Sequence, residues 1–356
     1  MTERTRGIPF ETYVENSLLF TERERALVQE FQEWLPGTLI DCHTHCGLSR
    51  DVYEIDDRMY GQLNSTFLQF SLEDSDKARE AMFGGKNLSR LRFPFPFRGI
   101  DIKSANDYLI NNVADPDSVV LCGMPNDPDF TNSMLRTKQF KALKMYHQMF
   151  NPHTRNIYQF FTPEILSVSE ETETPIILHL PRIVTECKDE LIEVVRTFPN
   201  LKISLAHMGF ANVLVPNLEE TYAELAYYPN ISMDTSMIAA PDVFKTAFNT
   251  FGTNRIMFGT DEPLNLLRFV LYNHHTKGQR VVTQYPYHWA DKEDHEQYKH
   301  LASGAVHIHW ESLTAIRDAI GQLYPEPALA EQVKSDIFYN NAAKFFTINP
   351  QMSPEL

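Results

Sequence analysis

Positive charge is scarce in this chain. It has 32 Lys and Arg against 47 Asp and Glu, a formal net charge of −15 at pH 7. Nucleic-acid phosphates favour basic surfaces, so this balance argues against a nucleic-acid partner. It also disfavours docking on anionic membranes. Long apolar runs are missing too: none reaches the ~18 residues that mark a transmembrane helix. The first residues, Met1-Thr2-Glu3-Arg4-Thr5-Arg6, are charged and lack the apolar core of a signal peptide. Cysteine is sparse. The four present (Cys42, Cys46, Cys122, Cys187) do not make a disulfide scaffold in a chain of 356 residues. A reducing cytoplasm is the expected location, and the sequons at Asn64 and Asn230 carry no meaning without secretion. Three kinds of catalytic machinery are absent as well. There is no Gly-x-Gly-x-x-Gly after a strand, no Gly-x-x-x-x-Gly-Lys and no Gly-x-Ser-x-Gly, which leaves nucleotide-dependent and serine-hydrolase chemistry without support.

What is present is an ordinary globular mixture, 43% hydrophobic and 22% charged, long enough for one large α/β barrel or two smaller domains. No repeat or low-complexity tract interrupts it. Short apolar runs alternate with amphipathic stretches, the pattern of βα units around a parallel sheet. Eight strand candidates can be placed: Thr38–Asp41, Leu88–Phe93, Ser118–Cys122, Phe140–Met145, Pro175–Leu178, Leu201–Ala206, Ile231–Asp234 and Arg255–Phe258. Ser104–Val113, Thr185–Thr197, Asn212–Tyr227 and Pro241–Phe251 carry the clearest helical periodicity. Eight strands with helical returns predict a single α/β (β/α)8 barrel over residues 38–348. Residues 1–37 then form an N-terminal helical extension packed on the barrel, and 349–356 a C-terminal tail. Two stretches exceed ordinary barrel loops, Cys46–Lys86 after the first strand and Glu262–His300 after the last. Both leave the strand ends where barrel active sites form, so both are candidate lids or binding loops, with peripheral decoration or a subunit contact as the alternative.

The chemistry-bearing residues sit at the ends of these strands. Leu39-Ile40-Asp41-Cys42-His43-Thr44-His45 ends an apolar run in two histidines one residue apart. In a strand such residues share a face, so His43 and His45 are expected to converge beyond the strand end. Two neutral imidazoles converging in this way suit a divalent metal. Three later apolar runs end in possible partners: Ile177-Leu178-His179, Leu205-Ala206-His207 and Met257-Phe258-Gly259-Thr260-Asp261. Singly, each has a plain structural reading; an Asp after Gly-Thr, for example, is often a helix N-cap. Cys42 and Cys46 flank the first pair, but strand alternation turns Cys42 away from the histidines and speaks against a small zinc knuckle.

Taken in order, these segments resemble the amidohydrolase superfamily, and most closely its amidohydrolase-2 group of metal-dependent hydrolases and non-oxidative decarboxylases. Phe140-Lys141-Ala142-Leu143-Lys144-Met145 and the final Ile337-Phe338-Tyr339-Asn340-Asn341-Ala342-Ala343-Lys344-Phe345-Phe346 belong to the same likeness, which spans nearly the whole chain. The resemblance implies a distorted barrel with a metal at its C-terminal face. It implies His43, His45, His179 and Asp261 as ligands of one divalent ion, zinc by preference and manganese or another ion as alternatives. Asp261 would also take a proton from water, and His207 would orient water or polarise substrate. Lys144 lies where some members carry a carboxylated lysine bridging two metals, although its neighbours fit the one-metal branch better. A homodimer is expected by the same analogy.

Substrate selection is less legible. Arg182 could bind a carboxylate or phosphate, or form a surface ion pair. Tyr146, His147 and Lys144 could line the pocket, and Arg268, His288 and Trp289 could close over a planar ligand. His274, His275, His307 and His309 read as surface or helix residues. The expected activity is metal-assisted hydrolysis of an amide, cyclic amide or lactone of a small molecule. Decarboxylation of an unsaturated or aromatic acid is the alternative, and a non-catalytic barrel the third reading.

Overall fold

The first regular element is written in Thr21-Glu22-Arg23-Glu24. Thr21 caps helix α1 (Glu22–Trp34) by accepting from the Glu24 amide, and Glu24 reaches back to the Thr21 amide, a reciprocal capping box. The computed structural model describes residues 17–53, 69–148, 151, 153–284 and 291–348. Within them the chain runs through strand β1 (Thr38–Cys46), helix α2 (Leu72–Phe83), β2 (Asn87–Pro94), α3 (Ile102–Asn112), β3 (Ser118–Val119), β4 (Leu121–Cys122) and α4 (Pro128–Arg136). It continues through β5 (Leu143–Met145), α5 (Pro163–Glu171), β6 (Ile176–Leu178), α6 (Val184–Thr197), β7 (Ile203–Leu205), α7 (Leu218–Leu225), β8 (Ile231–Asp234), α8 (Pro241–Thr250) and β9 (Ile256–Met257).

These strands fall in two parallel sheets, ordered β1-β2-β3 and β4-β5-β6-β7-β8-β9. The regular ladders stop short of one continuous sheet. Individual bonds carry the two seams: Val120 N donates to Arg92 O at 2.8 Å, and Cys42 N to Phe258 O at 3.0 Å. Counting β3 and β4 as one interrupted strand, eight parallel strands follow one another around a distorted (β/α)8 barrel. Every strand candidate from the sequence has its counterpart. Alternate strand residues enter separate apolar clusters. Ile40, Leu91, Val120, Ala142, Ile177, Ala206 and Met257 meet one another together with Ala342 of the C-terminal helix (Asn341–Phe345) and Phe346 just after it. Leu39, Leu121, Leu143, Ile176, Leu205 and Met233 pack with the surrounding helices.

Three differences from the sequence reading stand out. Strand β1 runs on to Cys46, so His43 and His45 lie within it, with a register shift between Asp41 and Thr44 against β2. Helix α7 starts at Leu218 rather than Asn212, because Pro216 and the left-handed Asn217 stand in front of it. The long segment after β9 carries an antiparallel sheet, β10 (Arg268–His274), β11 (Gly278–Thr283) and β12 (Val306–His307), in the order β11-β10-β12. It is built into the body at its base, where Arg268 grips the fully buried Glu24 of α1 with two nitrogens at 2.8 and 3.0 Å. His274 is buried in β10 rather than on the surface; His307 and His309 are buried too, at the start of the helix Ile308–Leu323, where the helical alternative put them. Trp289 and His288, both proposed for this segment, lie outside the described residues, as do 1–16 and the tail 349–356. All four cysteines are free and buried, and among the described residues no helix is long and apolar enough to cross a membrane.

Candidate metal centre

Six of the parallel strands deliver polar residues to the same end of the barrel. β1 carries His43 and His45, β5 carries Lys144, and β8 ends in Asp234. His179 follows β6, His207 follows β7 and Asp261 follows β9. All sit at C-terminal strand ends, the catalytic face of such barrels. All but His179 are at most 6% exposed.

Two of these residues are held in unusual backbone conformations. His207 and Asp261 have φ of 55° and 62°, a left-handed geometry rare outside glycine and common at functional sites. Packed neighbours fix both. Asp261 N donates to His43 O at 2.8 Å, and His45 N donates to Glu262 O at 2.7 Å, locking the segment after β9 onto β1. Asp41 adds a clamp from behind: its carboxylate accepts from Thr260 N at 3.0 Å, Thr260 Oγ1 at 2.6 Å and His43 N at 3.1 Å. Burial pushes the Asp41 carboxyl up to about 7, against the pull of these donors. Glu262 is gripped in turn by Arg92 at 3.1 Å.

The four histidines share one orientation rule. His43 Nδ1 faces Asp234 Oδ2 at 2.9 Å, and His45 Nδ1 faces Pro94 O at 3.2 Å. His179 Nδ1 faces Leu180 O at 2.9 Å, and His207 Nδ1 faces Ser236 O at 3.1 Å. Each of these partners is an acceptor. Ser236 Oγ, 2.9 Å from His207 Nδ1 and 3.3 Å from His43 Nδ1, spends its hydrogen on Asp234 and so accepts as well. Each neutral ring therefore carries its proton on Nδ1 and leaves Nε2 with a free lone pair. Asp261 Oδ1 lies 3.3 Å from His43 Nε2 and 3.1 Å from His45 Nε2. Neighbouring rings complete the cluster, with His43 and His207 centroids 5.1 Å apart and His179 and His207 centroids 5.0 Å apart.

These donors fit a divalent ion. His43 Nε2 is buried with no hydrogen-bond partner. His43, His207 and Asp261 each offer a ligand atom, all within 4.8 Å of one another. This tightest grouping includes His207, expected to stand back from the metal. His45 joins it through Asp261, and His179 lies one ring further on. Burial drives His45 down to about 4 and also lowers His179 and His207, so all three are neutral, ligand-ready imidazoles near pH 7. Burial would raise Asp261, yet the neighbouring His43 holds its carboxyl well below the usual range. His43 differs from the other three: burial and Lys144 would lower it, but Asp234 and Asp261 outweigh them and raise it above its ordinary value. Two buried carboxylates thus converge on His43, and a bound divalent cation would neutralise them in place of a proton.

Lys144 is the other cation in reach. It is 1% exposed, its Nζ has no hydrogen-bond partner, and it lies 5.4 Å over the Phe93 ring. Burial lowers it to about 8, with Asp234 and Asp261 pulling the other way. Tyr146 stands edge-on to His179 at 4.8 Å, and the partly exposed Phe210 covers the same imidazole at 5.1 Å. Phe95 stacks on His45 and Phe97 on Phe95. Arg182 turns elsewhere: its Nε donates to Arg155 O at 3.2 Å and its Nη1 lies 3.7 Å from Glu186, in a surface groove with Tyr158 and Glu190. Arg268 is spent on Glu24. Cys46 Sγ faces Arg92, away from any knuckle with Cys42.

Fold and site together define a barrel built to hold a metal among strand-end histidines and a carboxylate. The amidohydrolase family model matches residues 40–348, and the chain belongs to that family, whose members are metal-dependent hydrolases and decarboxylases. No curated protein matches it. Solved structures with the same fold include a zinc-bound amidohydrolase from Burkholderia multivorans, with 11% identity, 88% of this chain and 100% of that chain covered, and a TM-score of 0.56. A Pseudomonas putida protein assigned as a 2-pyrone-4,6-dicarboxylic acid hydrolase matches with 15% identity, 89% and 100% coverage and a TM-score of 0.53. The 2,6-dihydroxybenzoate decarboxylase from Rhizobium matches with 15% identity, 89% and 100% coverage and a TM-score of 0.51.

Sequence reading missed Asp234 as a site residue. The signal was available, since Ile231–Asp234 is an apolar strand ending in a carboxylate like the others.

Proposed function

We propose that this enzyme is a hydrolase that uses a metal-activated water to cleave a C–N or C–O bond of a small molecule. The observation that carries this reading is the convergence of His43 and His45 Nε2 on Asp261 Oδ1, at 3.3 and 3.1 Å, with His207 and His179 alongside. His43, His45, His179 and Asp261 would hold the ion, zinc by preference, with His207 adjoining. When bound, such an ion supplies Lewis acidity and lowers the pKa of a water to about 7. Asp261 is ionised at neutral pH and accepts the proton that water gives up, then passes it to the leaving group. His207, held by Ser236, is poised to donate a hydrogen bond or polarise the carbonyl where negative charge develops, once a proton reaches its Nε2. Tyr146, Phe95, Phe97 and Phe210 offer an apolar collar for the body of the substrate.

Lys144 favours the second reading, non-oxidative decarboxylation. A buried ammonium with no partner can attract a carboxylate, and its lowered pKa lets it return a proton to the product carbanion. One variant separates these roles from a structural one. Asp261→Asn should fold with a melting temperature within a few degrees of wild type and lose at least ~100-fold in turnover. Lys144→Met should abolish turnover if decarboxylation is the native reaction, and leave amide or lactone cleavage measurable if hydrolysis is. Full turnover in Asp261→Asn sinks both readings. The homodimer is carried forward as a proposal, read by light scattering.

A further inference from the structure

We infer that Asp234, on a strand expected to contribute no ligand, sets the tautomer of His43 and thereby decides whether the centre can take a metal. The inference rests on the metal-centre reading above. Asp234 is completely buried and its two oxygens have separate duties. Oδ1 accepts from His207 N at 2.9 Å, from Ser236 N at 3.2 Å and from Ser236 Oγ. Oδ2 faces His43 Nδ1 at 2.9 Å. The two backbone N–H groups cannot turn away, so the Oδ1 position must remain an acceptor. That leaves Oδ2 as the sole carboxylate oxygen for His43, and it can only accept. The His43 proton is therefore held on Nδ1, and Nε2, which has no protein hydrogen bond, is left with its lone pair toward Asp261. The same carboxylate seats the backbone of His207, so one side chain on β8 positions residues delivered by β1 and β7. Asp234 is a positioning residue; it acts through His43 rather than on substrate.

The isosteric change Asp234→Asn tests this. Its carbonyl must occupy the Oδ1 site, so its NH2 points at His43 Nδ1. A donor there turns Nδ1 into an acceptor and moves the proton to Nε2, the nitrogen that must bind metal. Asp234→Ala removes every hydrogen bond of the carboxylate and leaves His43 Nδ1 facing Ser236 Oγ at 3.3 Å, a hydroxyl that can donate or accept, so both tautomers are open. The two variants therefore rank oppositely in two readouts. In thermal stability Asp234→Asn should exceed Asp234→Ala. In affinity for Zn2+, measured by chelator competition, Asp234→Asn should fall below Asp234→Ala, with a loss of at least ~10- to 100-fold from wild type. Nitrogen-15 NMR of the metal-free proteins should report the His43 proton on Nδ1 in wild type and on Nε2 in Asp234→Asn. If Asp234→Asn does not fold, Asp234→Ala carries the test through a mixture of His43 tautomers. An Asn variant that keeps wild-type Zn2+ affinity and an Nδ1 proton overturns the inference, as does an Ala variant with one tautomer. A wild type that binds no Zn2+ yet shows the tautomer shift refutes the metal-centre reading and leaves the role of Asp234 intact.

Discussion

At Gly259 a side chain would have to share space with the site. A Cβ there would sit 3.0 Å from His43 Cβ, 3.4 Å from Asp234 Cβ and 3.5 Å from Cys42 Sγ. Those neighbours are themselves pinned, so they cannot yield without tilting the imidazole. Gly259→Ala is expected to cost about 1–3 kcal/mol of stability by overpacking. It should also weaken Zn2+ binding at least ~10-fold by displacing a ligand. Urea unfolding and chelator competition read the two effects, and unchanged affinity would show that His43 is not held as tightly as its contacts imply. His43, His45, His179, His207 and Asp261 were legible because each closes an apolar run, and a polar residue in that place needs a reason. Asp234 closes a run equally well but its duty lies across the barrel, toward His43 and His207. Nothing local to Ile231–Asp234 announces those partners. The left-handed backbones of His207 and Asp261 are equally silent in sequence, since neither is glycine. Arg182 takes the second of its two readings, a surface ion pair with Glu186, because its side chain turns toward Arg155 and Glu186.

At the scale of elements, the helix Ile308–Leu323 begins between two buried histidines. Spacing of i, i+2 splays them, as the sequence implied. His307 faces Glu24 at 3.1 Å, and His309 packs edge-on to Phe83 and Trp310 with Nε2 unpaired. Burial lowers His307 to about 4 and His309 to about 3, from an ordinary value of 6.5. Both are therefore neutral in the folded protein near pH 7. Below pH 6.5 the unfolded chain binds protons that the folded chain refuses, so stability falls as pH falls from 6.5 toward 4. Each histidine adds a slope approaching about 1.4 kcal/mol per pH unit. Denaturant titrations between pH 7 and pH 4.5 should show this, and His309→Phe should remove one proton's share of the slope. A slope identical to wild type would mean that His309 is protonated in the fold. The antiparallel sheet of β10, β11 and β12 escaped sequence reading because its residues were weighed as a catalytic loop. Its buried anchor, Glu24 with Arg268, joins residues far apart in the chain.

For the whole molecule, the eight parallel strands and their order were readable because each is short, apolar and followed by a helix. Length and periodicity suffice for that much. The seams at which β4 meets β2 and β9 meets β1 were not, since they depend on a few hydrogen bonds outside the regular ladders, such as Cys42 N to Phe258 O and His45 N to Glu262 O. Central to this assembly is the proposed centre for a single divalent ion at its strand ends. The direct measurement is elemental analysis of protein purified without chelator or histidine tag, set beside a His43→Ala/His45→Ala double variant. Close to one zinc or similar ion per chain in wild type, lost in the variant while the fold persists, is the predicted result. No metal in wild type, and none retained after reconstitution with Zn2+ or Mn2+, would contradict it.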